Sequence, residues 1–180
     1  MSRLLFIAVL LVAAVLHGQA PPEGLGRGWT GEFDLAARQL VALAEATPAE
    51  KFSFRPAPGV RSTSELYMHV AVGNYWLIAQ AGVKPGGAHW PGSIPADAEK
   101  KITAKADVVR WLKDSLAAVR DAYGTMDRNK TVTFFGAEVP ASNVMLRILV
   151  HNHEHMGQAI AYARMSGVTP PWSVPAPANR

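Results

Sequence analysis

The chain has 180 residues, 49% hydrophobic and 18% charged, with a formal net charge of +4 and no cysteine. That length and apolar fraction suit a single domain with a real core and exclude wholesale disorder. The missing cysteines exclude disulfides, an iron–sulfur cluster, a thiolate zinc site, a cysteine nucleophile and a lipidated-cysteine anchor.

The N-terminus comes first. Arg3 precedes an unbroken apolar run from Leu4 to Leu16, which ends at His17-Gly18-Gln19-Ala20. A short positive start, a run too short to span a bilayer comfortably and small residues at its end are the layout of a secretory signal peptide. Residues 1–20 are therefore expected to be removed, with Pro21, an unfavourable residue just after a cut, opening the mature chain. The expected location is the periplasm or the medium, with no stable membrane span after cleavage.

Four helical segments follow within one domain, residues 21–180. The first runs from about Gly31 to Glu45, with Phe33, Ala36, Leu40, Leu43 and Ala44 on one face. The second opens at Ser62-Thr63-Ser64-Glu65, where Ser62 and Glu65 have capping-box spacing, and continues to about Gln80. The third is expected to follow Asp97 as its cap, with Ile102, Val109, Leu112, Leu116, Val119 and Tyr123 forming its apolar stripe. Between Thr131 and Val139 an alternating β-prone stretch around Gly136 predicts a small hairpin. The fourth helix starts near Ala141, after Pro140, and ends at Gly167, since Pro170-Pro171 forbids continuation. The fold class that follows is all-α, a four-helix bundle with a small hairpin-like insertion before the last helix. A bundle with an exposed seam also makes a homodimer an expected partner state.

The chemistry has to come from six histidines. His17 belongs to the signal, and His89 lies in a Gly/Pro-rich loop. On the last helix Val144, Ile148, His151, His155, Gln158 and Tyr162 step by fours and threes, the pattern of a bundle seam. His151 and His155 thus share a face one turn apart, and His153 projects away from it. On the second helix Glu65, His69, Val72, Trp76 and Ala79 step the same way, which predicts that His69 also points inward.

Three imidazoles buried without partners would cost several kcal/mol, about 2 or more for each unpaired polar group. A divalent metal removes that cost by taking all three as neutral ligands. The plain alternative is that each histidine is a core residue hydrogen-bonded to a backbone carbonyl. A zincin is excluded because Gly157 stands where His153-Glu154 would require a second histidine, and no Glu-x-x-His pair supports a di-iron site. Glu65, one turn before His69, is a weak general-base candidate, with the capping box as its competing role. Gln158, one turn past His155, could orient a ligand or brace a histidine. Trp76 and Tyr162 read as core or pocket wall.

Two stretches carry a resemblance. Arg55-Pro56-Ala57-Pro58-Gly59-Val60-Arg61-Ser62 followed by Glu65-Leu66-Tyr67-Met68-His69-Val70, and His151-Asn152-His153-Glu154-His155-Met156-Gly157-Gln158 followed by Arg164, Gly167 and Pro170-Pro171, resemble the DinB-like superfamily. The likeness runs from about Trp29 to Trp172, and Met156 departs from it where many members carry a basic residue. It implies a four-helix bundle holding a divalent metal, nickel or zinc foremost and manganese or iron next, on His69, His151 and His155. Some members are S-transferases that use low-molecular-weight thiols. The expectation is therefore an exported protein acting on a small molecule as a metal-dependent hydrolase or thiol S-transferase. The rival expectation is a metal- or ligand-binding bundle without turnover, or a purely structural one. Nucleic acid is not an expected partner, because the basic residues form no cluster.

Overall fold

The computed structural model describes residues 22–84 and 86–173; the expected signal segment lies outside the described residues. Four long helices surround one core: α1 (Gly28–Ala46), α2 (Thr63–Gln80), α4 (Lys105–Thr125) and α5 (Ala141–Met165). A four-residue helix, α3 (Ala98–Lys101), precedes α4, and a two-stranded hairpin, β1 (Thr131–Phe134) and β2 (Ala137–Pro140), precedes α5. Helix α2 packs on α4 and α5, and α1 packs on the same two helices from the other side. Among the described residues no helix is long and apolar enough to cross a membrane.

Local chemistry accounts for the elements. On α1 the expected stripe of Phe33, Ala36, Leu40, Leu43 and Ala44 is buried. Trp29 stacks between Phe33 and Tyr123, with centroids 4.9 and 3.8 Å away, and its indole N–H donates to the Met145 carbonyl at 2.9 Å. One side chain thus ties α1 to α4 and α5. Helix α2 starts with the expected capping box, the Glu65 N–H donating to Ser62 Oγ and the Ser62 N–H to Glu65 Oε2. The hairpin turns on Phe135 and Gly136, at φ of 48° and 81°, as a two-residue primed turn requires. Helix α5 closes with Gly167 at φ 82°, its N–H donating to Arg164 and that of Val168 to Ala163, a Schellman pattern.

Two expectations are corrected. Asp97 does not cap the third long helix: it sits at φ 58° with no side-chain capping bond, and Ile102 and Ala104 are extended before α4 begins at Lys105. On α4 Val108 and Trp111 are buried, whereas Val109 and Tyr123 are half-buried. The second correction concerns the side of α2. The stripe Glu65–His69–Val72–Trp76–Ala79 is its open side, with Trp76 45% exposed and Ala79 also exposed. Trp76 is therefore not core; it lies beside Phe134 and Phe135 of the hairpin. The reason is that α2 is the most enclosed helix, with eleven of its eighteen residues buried. A helix that is apolar nearly all round turns its minority face outward.

Candidate metal centre

On α5 the predicted seam holds: Val144, Ile148, His151, His155 and Tyr162 are all buried. His69 reaches the same place from the open side of α2, its side chain 24% exposed. The three rings converge, with centroid separations of 5.1 Å (His69–His151), 4.7 Å (His69–His155) and 4.5 Å (His151–His155). One ligating nitrogen from each can be chosen so that all lie within 4.8 Å of one another. The Nε2 atoms of His69 and His151 are 3.3 Å apart. Two imidazole nitrogens on one tetrahedral zinc, each at about 2.0–2.1 Å, would stand about 3.3 Å apart. The chosen nitrogens of all three lie close enough together for the residues to fit a metal ion.

The outer nitrogens of the three rings do not find backbone carbonyls. His69 Nδ1 lies 2.7 Å from Glu99 Oε1, and His155 Nδ1 lies 3.0 Å from Gln158 Oε1. Both contacts need a proton on Nδ1, and on a neutral ring that leaves the Nε2 lone pair free. Among the described residues His151 Nδ1 is buried without a partner, and the only polar contact of that ring is His69. None of the three hydrogen-bonds a backbone carbonyl among the described residues. His153 does, with Nδ1 3.0 Å from the Leu149 oxygen, half-buried and turned away from the cluster as its position on the helix predicts.

A family model described as the DinB superfamily matches residues 32–159. The chain belongs to the DinB superfamily. Its fold is similar to a DinB-like protein from Bacillus cereus ATCC 10987, with a TM-score of 0.62 and 19% identity over 81% of this chain and 95% of that one. It is similar also to a DinB-like protein from Bacillus subtilis, with a TM-score of 0.59 and 16% identity over 82% and 96%. At such identities the likeness shows the fold. No curated protein matches the sequence.

In this DinB-superfamily protein burial, reinforced by the neighbouring His155 and His69, pushes the His151 imidazole down to about 4. Burial also lowers His155, against the opposing effect of the hydrogen bond that its ring donates to Gln158 Oε1. Both rings are therefore neutral at neutral pH, the state in which a histidine can ligate a metal. Glu99 is raised by burial, but its bonds to His69 and Arg61 outweigh this and hold it below the usual carboxylate range. Gln158 passes its amide N–H on to the Tyr162 hydroxyl at 2.9 Å, so it braces His155 as expected. Tyr162 is buried in the core.

An open cleft of ≈ 620 Å³ adjoins the cluster, lined by Arg55, Arg61, Glu65, Glu99, Lys100 and Gln158 among others. Glu65 lines it with both oxygens engaged, Oε1 by Arg55 at 2.8 Å and Oε2 by the Ser62 N–H. The Arg55 bond chiefly holds its carboxyl low. Neither this cleft nor a second one of ≈ 510 Å³, beside Pro22 and Arg38, has a histidine in its lining; the first meets the cluster through Glu99 and Gln158.

Three residues of the centre escaped sequence reading. Glu99 and Arg61 belong to it only through tertiary contact. Gly73 gives the His151 ring its room. Of the three, only Gly73 carried a signal, a glycine inside a helical pattern.

Proposed function

We propose that this chain binds one divalent metal ion, nickel or zinc foremost, through His69, His151 and His155, and serves outside the cytoplasm as a metal-dependent hydrolase or thiol S-transferase for a small molecule. One observation carries the reading. Three imidazoles face one another across two helices, and two of them have their outer nitrogens already engaged. When bound there, the metal supplies Lewis-acid activation of a water or thiol brought against it. The protein's part is positional. His69, His151 and His155 present ring nitrogens, and Gln158 with Tyr162 keeps the His155 ring from turning. Arg55, Arg61 and Lys100 outnumber Glu65 and Glu99 in the cleft, which attracts an anionic group. The apolar run of residues 4–16 supports export.

Elemental analysis of the purified chain without a histidine tag tests the metal, beside a variant carrying His69→Ala, His151→Ala and His155→Ala. About one equivalent in the parent and none in the variant is expected. No uptake by either, after incubation with nickel, zinc and manganese, overturns the reading.

The two carboxylates of the cleft are both tied up in ion pairs, which leaves no free general base there. That favours, as a second reading, a metal- or ligand-binding bundle without turnover. Assay of the metal-loaded protein on ester, phosphoester and thiol-acceptor substrates separates the two.

A further inference from the structure

Helix α3 is too short to serve as a bundle member, and its only buried residue is Ala98. Its effect is to bring Glu99 against α2. Glu99 Oε1 lies 2.7 Å from His69 Nδ1, while Arg61 Nε, from the residue just before the α2 cap, donates to Glu99 Oε2 at 2.9 Å. An ionised carboxylate can only accept, so this contact requires the proton of a neutral His69 to sit on Nδ1. The Nε2 lone pair is then left facing His151, at 3.3 Å. Arg61 holds the second carboxylate oxygen, so the carboxylate cannot turn away from the ring without breaking an ion pair. The three rings are braced unequally: His69 by an anion, His155 by the neutral amide of Gln158, and His151 by nothing at its outer nitrogen.

We propose that Glu99, clamped by Arg61, is a positioning residue of the metal centre: it fixes the tautomer and orientation of His69 and makes it the strongest donor of the three. A carboxylate behind a ligating histidine raises the basicity of the ring and prevents its rotation, and losing such a partner typically costs about 10–100-fold in metal affinity. The inference rests on the metal reading above for its affinity measurement but not for its tautomer measurement.

The experiment uses the full mature chain, its Glu99→Ala and Glu99→Gln forms, and Arg61→Ala. Zinc affinity is measured by competition with a chromophoric chelator. The ring nitrogens of the metal-free protein are assigned by nitrogen-15 NMR at mildly alkaline pH. Glu99→Ala should bind zinc about 10–100-fold more weakly. Glu99→Gln keeps an acceptor but not the charge, so it should fall between parent and Glu99→Ala; Arg61→Ala should do the same. In the metal-free parent His69 should carry its proton on Nδ1, and in Glu99→Ala it should shift toward the Nε2–H form. Circular dichroism and thermal melting show whether each variant is folded, and the near-isosteric Glu99→Gln remains informative if Glu99→Ala is not. An Nε2–H tautomer in the parent, or unchanged zinc affinity in both Glu99 variants, overturns the proposal. A parent that binds no zinc or nickel overturns the metal reading instead, and the tautomer then decides whether Glu99 sets the ring.

Discussion

Gly73 and His151 occupy one space: a Cβ built on Gly73 would stand 2.6 Å from His151 Cε1. No side chain larger than hydrogen fits there while the ring stays in place. In an exposed helix interior, glycine to alanine is stabilising by about 1 kcal/mol. Here Gly73→Ala should be destabilising instead, by about 1–3 kcal/mol, through overpacking. It should also weaken metal uptake by displacing the ring. Thermal melting and metal titration of this variant check both; a more stable protein with unchanged metal affinity would contradict the placement of His151.

The pH dependence of stability follows from His151. In the unfolded chain its imidazole takes up a proton near its ordinary value of 6.5, but in the folded protein only near 4. Between those values the unfolded state binds more protons, so stability rises with pH across the window and is lost as pH falls through it. The contribution is at most about 3 kcal/mol, from about 1.4 kcal/mol per unit. Denaturant midpoints of the metal-free protein, compared with His151→Leu at both ends of the window, isolate the effect. The variant should show the flatter profile, and equal slopes would refute the assignment.

A buried amide pair sets the register of α2 on α5. Asn152 donates to Asn74 Oδ1 at 2.8 Å, and Asn74 donates to Ser115 Oγ at 3.2 Å, with all three residues fully buried. Removing one partner strands the other in an apolar core, at about 1–3 kcal/mol for an unsatisfied group. Asn152→Ala and Asn74→Ala should each be destabilising by about that much, and the double variant by clearly less than their sum. Chemical denaturation of the full cycle measures the coupling. Strict additivity would show that the amides do not act as a pair.

Glu65 should behave as a cap. Glu65→Ala removes one half of a capping box and an exposed ion pair, so a loss of about 1 kcal/mol is expected. Metal content should be unchanged, because no histidine touches this carboxylate. Loss of metal on this substitution, with the fold intact, would return Glu65 to the centre.

Much of this molecule is legible in local patterns. The capping box at Ser62, the Phe135-Gly136 turn and the stop at Gly167 depend on residues within a few positions of one another. So does the shared face of His151 and His155, one turn apart on a helix with a well-defined buried stripe. Even His69 was identifiable, because it shares a stripe with Glu65 and Trp76; what the stripe could not tell was its side. Periodicity ranks the faces of a helix by apolarity, and α2 is apolar on nearly all of them. Only packing against α4 and α5 left the histidine stripe on the open side of α2.

The remaining parts of the centre are products of the tertiary fold. His151 meets His69 from 82 positions away, and Glu99 meets it from 30. Glu99 arrives only because the chain breaks after Lys101, and no local rule announces that a four-residue helix will turn a carboxylate onto a distant imidazole. The sequence by itself determined which residues can ligate and which helices carry them. The tertiary structure decided which nitrogens face inward, because that depends on the partner each ring finds at its other nitrogen.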